Sequence, residues 1–463
     1  MKSVSAGVAA SHPATAAAGL RILQDGGTAA DAAVAAVLAC CVAETVYTGL
    51  GGGGFATYFD AASGEVTCLD FFVAVPGTDG DHRAGPMIAV DVFFGGMPQV
   101  YSIGGASVAV PGVPAGCGEV HRRWGRLPWA SVVAPAIELA RTGAPVPAAH
   151  ARTLDACAPA LAWGEGAAVY TPHGKRLQGG DVLFHPGLAE ALERLAGEGP
   201  SLFYTGCYAS LLVDTVRSHG GALGPRDLAG YRVVETPVDH AMLAGHRVRA
   251  RHDLNRTVDT IAGLPSDLSR PARAPGVAAA LRDQGRQKIG DTTNISVVDA
   301  EGNACVITTT LGLGSGVWLP GLGINLNSML GEGELITDDL EPGRRMSSNM
   351  CPLVVIDPNG HLAVAAGSAG ASRIRTALVD TLLGVLTDDL DMAEAIGRPR
   401  FHIVDDTVHA EPGYPRDELS MLADAGWLIH QWPEIDHYFG GVTAVGQAGA
   451  AGDPRRAGVG LLL

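Results

Sequence analysis

The sequence predicts an α+β fold, with helices gathered in its first half and strands in its second. Three observations point there. Residues 29–43 are an apolar, alanine-rich stretch of helical length, which must be buried on most of its sides. Residues 294–298, 304–310, 323–327, 352–356 and 362–366 are short apolar or β-branched runs broken by turn residues, the pattern of strands. Finally, 463 residues that are 47% apolar and only 17% charged, with 63 glycines, describe a compact, tightly packed chain with many turns.

Taken in order, Ser11 caps a first helix with His12 and Pro13 in its first turn. Ala17, Leu20, Ile22 and Leu23 follow on its apolar side, and Gly26-Gly27 ends it. The apolar helix runs from about Ala29 to Val42, beneath a sheet. The run Gly49-Leu50-Gly51-Gly52-Gly53-Gly54-Phe55 then leads into a strand at Ala56–Phe59. It lacks a following Lys-Ser/Thr and precedes a strand, so it reads as close approach of backbone to backbone or substrate, not as a phosphate loop. Pro-Gly turns and helical segments fill 112–143, and Pro200 to Tyr231 gives a helix, a Gly220-Gly221 stop and a short helix. From about Asn255 to Gly290 proline, arginine and glycine dominate; this reads as an exposed connector with one helix near Ala278–Gln284. Two helices, at about 372–386 and 391–396, follow the last strands.

The bulk charge narrows the function. A net charge of −16 without a lysine/arginine block argues against nucleic acid and anionic membranes as partners. Residues 29–43 carry Asp31 and are too short to span a bilayer. The first residues lack a hydrophobic signal core, so a cytoplasmic location is expected. None of the eight cysteines, Cys40, Cys41, Cys68, Cys117, Cys157, Cys207, Cys305 and Cys351, sits in a CxxC pair, and they read as buried thiols. The 15 histidines show no HExxH or comparable ligand spacing, so neither metal nor other cofactor is expected.

The chemistry concentrates in residues 291–310. Two strands flank a turn from Asp299 to Asn303, with Gly302 available for positive φ. If Val298 faces Ala304, antiparallel register sets Thr292 opposite Thr310 at the hairpin's open end. A threonine whose preceding peptide bond is cut becomes a strong nucleophile, because its own α-amine serves as base. The alternative is that Thr292 and Thr310 are ordinary strand threonines.

Nearly end to end, the chain resembles the gamma-glutamyltransferase (gamma-glutamyltranspeptidase) family of N-terminal-nucleophile hydrolases. The motifs are Gly26-Gly27-Thr28-Ala29-Ala30-Asp31-Ala32-Ala33-Val34, Gly51-Gly52-Gly53-Gly54-Phe55, Ser107-Val108-Ala109-Val110-Pro111-Gly112, Phe203-Tyr204-Thr205-Gly206 and Asp227-Leu228-Ala229-Gly230-Tyr231. The later half adds Thr292-Thr293-Asn294, Gly367-Ser368-Ala369-Gly370-Ala371-Ser372-Arg373, Arg398-Pro399-Arg400-Phe401 and Asp453-Pro454-Arg455. The resemblance implies a four-layer αββα sandwich and self-cleavage between Asp291 and Thr292. Residues 1–291, with a cleavable connector at about 255–291, would form the large subunit and residues 292–463 the small one, the two intertwined as one domain. It also implies Thr292 as nucleophile, Thr310 as the threonine orienting its amine and hydroxyl, and the amides of Gly370 and Ala371 as oxyanion donors. The implied partners are a small-molecule amide, water or an amine acceptor, and the chain's own second fragment in a heterodimer.

Departures from the family fall on the substrate pocket. Phe72 stands where an arginine grips the substrate's α-carboxylate, and a phenylalanine cannot pair with a carboxylate. Gly312 replaces an asparagine, Met329 a glutamine and Glu332 an aspartate; Ser348-Asn349 replaces a Ser-Ser pair, Ala371 a glycine and Asn294 a histidine. Arg373 is read as supporting the Gly370 turn, and Arg398 and Arg400 as pairing with buried backbone or carboxylates. Three functions stay open at this point: a gamma-glutamyl hydrolase or acyl transferase, an acylase for an acyl group without an α-carboxylate, and an uncleaved protein with a binding role.

Overall fold

A computed structural model describes residues 4–94, 97–252, 256–282, 292–332 and 340–463. Two antiparallel sheets lie face to face. The first has seven strands in the order Val459–Leu462, Gly7–Ala10, Thr293–Val298, Ala304–Thr310, Gly53–Phe59, Val66–Phe71 and Val234–Thr236. The second has six: Gly449–Gly452, Gly441–Gly446, Leu362–Ala369, Leu353–Ile356, His246–Arg251 and Val238–Leu243. Helices Pro13–Gln24 and Ala29–Ala43 cover the outer face of the first sheet, and Arg373–Leu386 and Met392–Gly397 cover the second. The result is a four-layer αββα sandwich.

Composition explains the layers. Every residue of Ala29–Ala43 is buried, since a helix apolar on all sides gains free energy only when covered all round. Its one charge, Asp31, gathers donors on Oδ2: it closes a capping box with Thr28 and accepts hydrogen bonds from the Arg126 and Leu127 amides at 2.8 and 3.2 Å. Between the sheets Ala9, Phe59, Val298, Val306, Val354, Ala365 and Val445 form a buried apolar core. The glycines after Gly49 serve close approach: a Cβ on Gly52 would lie 2.3 Å from the Thr310 carbonyl, and one on Gly54 would lie 2.3 Å from that of Thr308.

Three sequence expectations need correction. The first helix is capped by His12, whose Nδ1 accepts from the Ala14 amide at 2.9 Å, and not by Ser11. The connector is less exposed than its composition suggests. It holds two helices, Thr257–Ala262 and Arg273–Arg282, whose Val258, Ile261, Ala274, Val277, Ala278 and Leu281 enter the core of the second sheet. Arg270, Arg273 and Arg282 are taken up by ion pairs, as in the Arg273–Asp388 fork at 2.6 Å on each arm. The end of the connector, with Asp291 and Gln284, lies outside the described residues. Of the eight thiols seven are buried, but Cys207 is exposed. No helix among the described residues is long and apolar enough to cross a membrane.

Candidate active site

The hairpin of Thr293–Val298 and Ala304–Thr310 carries the centre of the site. Its turn has the Gly302 amide bonded to the Asp299 carbonyl, with Gly302 at φ 84°. Val298 pairs with Ala304 and Thr293 with Thr309, so one residue further on stand Thr292 and Thr310. Both are buried, each 4% exposed. The Thr310 Oγ1 accepts a hydrogen bond from the Gly312 amide at 2.8 Å, and the Thr292 carbonyl accepts one from Arg456 Nη1 at 3.4 Å.

Gly370 and Ala371 follow directly on the strand Leu362–Ala369. Both have positive φ, 114° and 50°, in a tight turn closed by the Arg373 amide bonding to the Gly370 carbonyl at 3.0 Å. Gly370 has no room for a side chain: its Cβ would lie 2.9 Å from the Gly440 Cα. Arg373 Nε in turn donates to the Tyr438 carbonyl at 2.8 Å, so this arginine braces the turn. The strand Thr293–Val298 and the strand Leu362–Ala369 meet across the sheets, because Asn294 fills the space over Gly367 and bonds Thr443.

Gly312, Met329 and Glu332 come together beside Thr310. A Cβ on Gly312 would lie 2.5 Å from Glu332 Oε1 and 3.2 Å from Met329 Sδ. Ser348 is buried, and its carbonyl accepts from Arg251 Nη2 at 3.1 Å. Asn349 is half-buried, and its Nδ2 finds no hydrogen-bond partner among the described residues. Phe72 is fully buried and stacks on Phe55 with ring centroids 5.3 Å apart; the Arg251 guanidinium lies 3.9 Å from the Phe55 ring centre. Phe55, Phe72, Met329 and Met350 share one apolar cluster. Arg398 and Arg400 are consumed elsewhere, by Asp380 and Asp388 and by Asp453.

Glu44 and Arg456 escaped the sequence reading. Glu44 is completely buried and accepts from Thr15 Oγ1 at 2.6 Å and Thr293 Oγ1 at 2.5 Å. Burial pushes its carboxyl up to about 7, against the pull of those two hydroxyls and of the Arg456 charge. The available signal was a lone acid ending a long apolar helix just before the glycine run. A separate cavity of about 440 Å³, near Glu301, Asp357 and His361, opens at the closed end of the hairpin and contains none of these residues.

The seven-plus-six-strand sandwich sets Thr292 and Thr310 side by side at one end of two neighbouring central strands, and sequence comparison gives the family. The Gamma-glutamyltranspeptidase family profile matches residues 15–252 and 256–463. The chain belongs to this family and is a hydrolase or transferase. It is 26% identical to a glutathione hydrolase proenzyme of Bacillus subtilis, over 96% of this chain and 90% of that protein. Its fold matches the cephalosporin acylase from Bacillus halodurans with a TM-score of 0.81 at 21% identity, over 99% and 96% of the two chains. The gamma-glutamyltranspeptidase of Helicobacter pylori matches with a TM-score of 0.51 at 25% identity, over 61% of this chain and 82% of that one.

Proposed function

We propose that the chain is an amide hydrolase or acyl transferase that works through an acyl-threonine on Thr292, after cutting its own Asp291-Thr292 bond. Thr292 Oγ1 attacks the preceding carbonyl, the nitrogen of Thr292 leaves as an amine, and water hydrolyses the resulting ester. The freed α-amine, with an ordinary pKa near 8, then takes the proton of the same hydroxyl as that oxygen attacks an amide substrate. Thr310 orients the pair. The amides of Gly370 and Ala371 receive the oxyanion, each contributing about 3 kcal/mol.

The observation carrying this reading is the hairpin register, which ends at Thr293 and Thr309 and so leaves Thr292 at the strand's start with Thr310 as its neighbour. By family relationship, gamma-glutamyl compounds are the first substrates to test. A second reading has its own support. Phe72 lies in an apolar stack with Phe55, which suits an acyl group without an α-carboxylate.

Intact mass is the decisive measurement. Two fragments, the smaller starting at Thr292, are expected from the parent and a single uncut chain from Thr292→Ala. Cleavage at this bond in the alanine variant would refute the mechanism. An uncut parent would point instead to a binding role. Comparing a gamma-glutamyl anilide with a glutaryl anilide then separates the two substrate readings.

A further inference from the structure

One turn grips both strands of the nucleophile hairpin at their open end. Glu44 follows the apolar helix, and its carbonyl accepts from the Tyr47 and Thr48 amides at 2.8 and 3.0 Å, folding 44–48 into a tight turn. From this turn Glu44 holds Thr293 through its side chain. Thr48 Oγ1 lies 2.6 Å from Thr309 Oγ1, and the Tyr47 carbonyl accepts from the Leu311 amide at 3.1 Å. The three contacts fall on the residues adjoining Thr292 and Thr310. Arg456 completes the arrangement: its guanidinium covers the Tyr47 ring at 4.9 Å and donates to the Thr292 carbonyl.

A carboxylate is a poor choice for this place on stability grounds. It stands at a helix C-terminus, where the dipole disfavours negative charge, and it is removed from water. A neutral residue would cap the turn more cheaply. The other titratable groups around it leave Arg456 as its charged counterpart. Cys40 and Cys41 lie on its own helix, and burial drives the Cys40 thiol upward. His12 heads the first helix and His150 contacts the Arg456 carbonyl at 3.1 Å; burial lowers both imidazoles.

We propose that Glu44 is a positioning residue for the nucleophile, fixing the strand start through Thr293 and offsetting the Arg456 charge beside Thr292. This rests on Thr292 being the nucleophile. The Arg456 charge beside Thr292 disfavours protonation of the freed α-amine; the Glu44 side chain, once ionised, lessens this effect and keeps the amine basic enough to take the hydroxyl proton.

Two variants separate position from charge, assayed on whichever anilide the parent turns over. Glu44→Gln should lower kcat at least tenfold and move the midpoint of the ascending pH–rate limb down by about half a unit or more. Thr293→Val keeps the charge but cuts its bond to the strand, so kcat should fall while the midpoint holds. Parent-like kcat and midpoint in Glu44→Gln would overturn the proposal; if that variant does not fold, parent-like kcat in Thr293→Val would do so. Thr292→Ala is the control for the underlying mechanism. Cleavage persisting there removes the nucleophile itself, whereas cleavage lost there with Glu44→Gln unchanged removes only the role of Glu44.

Discussion

Gly367 and Asn294 meet across the two sheets so closely that a Cβ on the glycine would lie 2.0 Å from the asparagine Oδ1. Asn294 cannot easily retreat, because its buried amide also lies 2.6 Å from Thr308 Oγ1 and 2.7 Å from Thr443 Oγ1. Gly367→Ala should therefore cost about 2–3 kcal/mol, the price of forcing an atom into a filled core. Urea denaturation would measure it. A loss below about half a kcal/mol would show that the sheets yield freely.

Ala371 is a strained residue at φ 50°, where an L side chain costs about 1–2 kcal/mol. Ala371→Gly should regain about 1 kcal/mol, reduced by the added freedom of the unfolded chain, and leave the turn amides in place. A higher melting temperature with kcat retained is the expected result. A stability loss would mean that the alanine methyl has a packing role.

Gly312 sits at φ 66° between Thr310, Met329 and Glu332. Gly312→Ala would press a methyl against Glu332 Oε1 and disturb the amide that bonds Thr310 Oγ1. Steady-state kinetics should show kcat/KM reduced about tenfold or more, equivalent to about 1.4 kcal/mol of transition-state stabilisation. Unchanged kinetics would place substrate away from this corner.

Arg455 is buried among carboxylates. Its Nε donates to Glu411 Oε1 at 2.6 Å and its Nη1 to Asp453 Oδ1 at 3.1 Å, while Arg400 meets the other Asp453 oxygen at 2.7 Å. Arg455→Ala would strand a buried carboxylate and should destabilise by about 3–5 kcal/mol. Thermal melting, read beside the milder Arg455→Lys, would test this; similar losses in both would argue against the forked geometry.

Glu44 also sets a pH dependence of stability. Its carboxyl stays protonated in the fold up to about 7 but ionises near 4.5 when unfolded. Between those values the native state holds a proton the unfolded chain has released, so stability falls as pH rises, by about 1.4 kcal/mol per unit. Glu44→Gln has no proton to lose. Against that variant the parent should lose on the order of 3 kcal/mol from below pH 4.5 to above 7; parallel curves would refute the assignment.

What the sequence determined by itself was local or periodic. The hairpin register follows from a five-residue turn with glycine at its positive-φ position, so Val298 and Ala304 fix where Thr292 and Thr310 fall. The burial of Ala29–Ala43 follows from having no polar face to offer water. Even the brace role of Arg373 could be read from its place after the glycine turn. Of the two connector helices the sequence showed only the second, set several residues too late, because arginine and proline obscured the apolar spacing, and their charges find partners only in the fold. Only the tertiary structure could bring Glu44 to Thr293, 249 residues away along the chain. It also decided that Phe72 stacks on Phe55 and that Arg456 reaches the Thr292 carbonyl. Such contacts depend on how whole layers pack, and side-chain patterning along one segment carries no record of them.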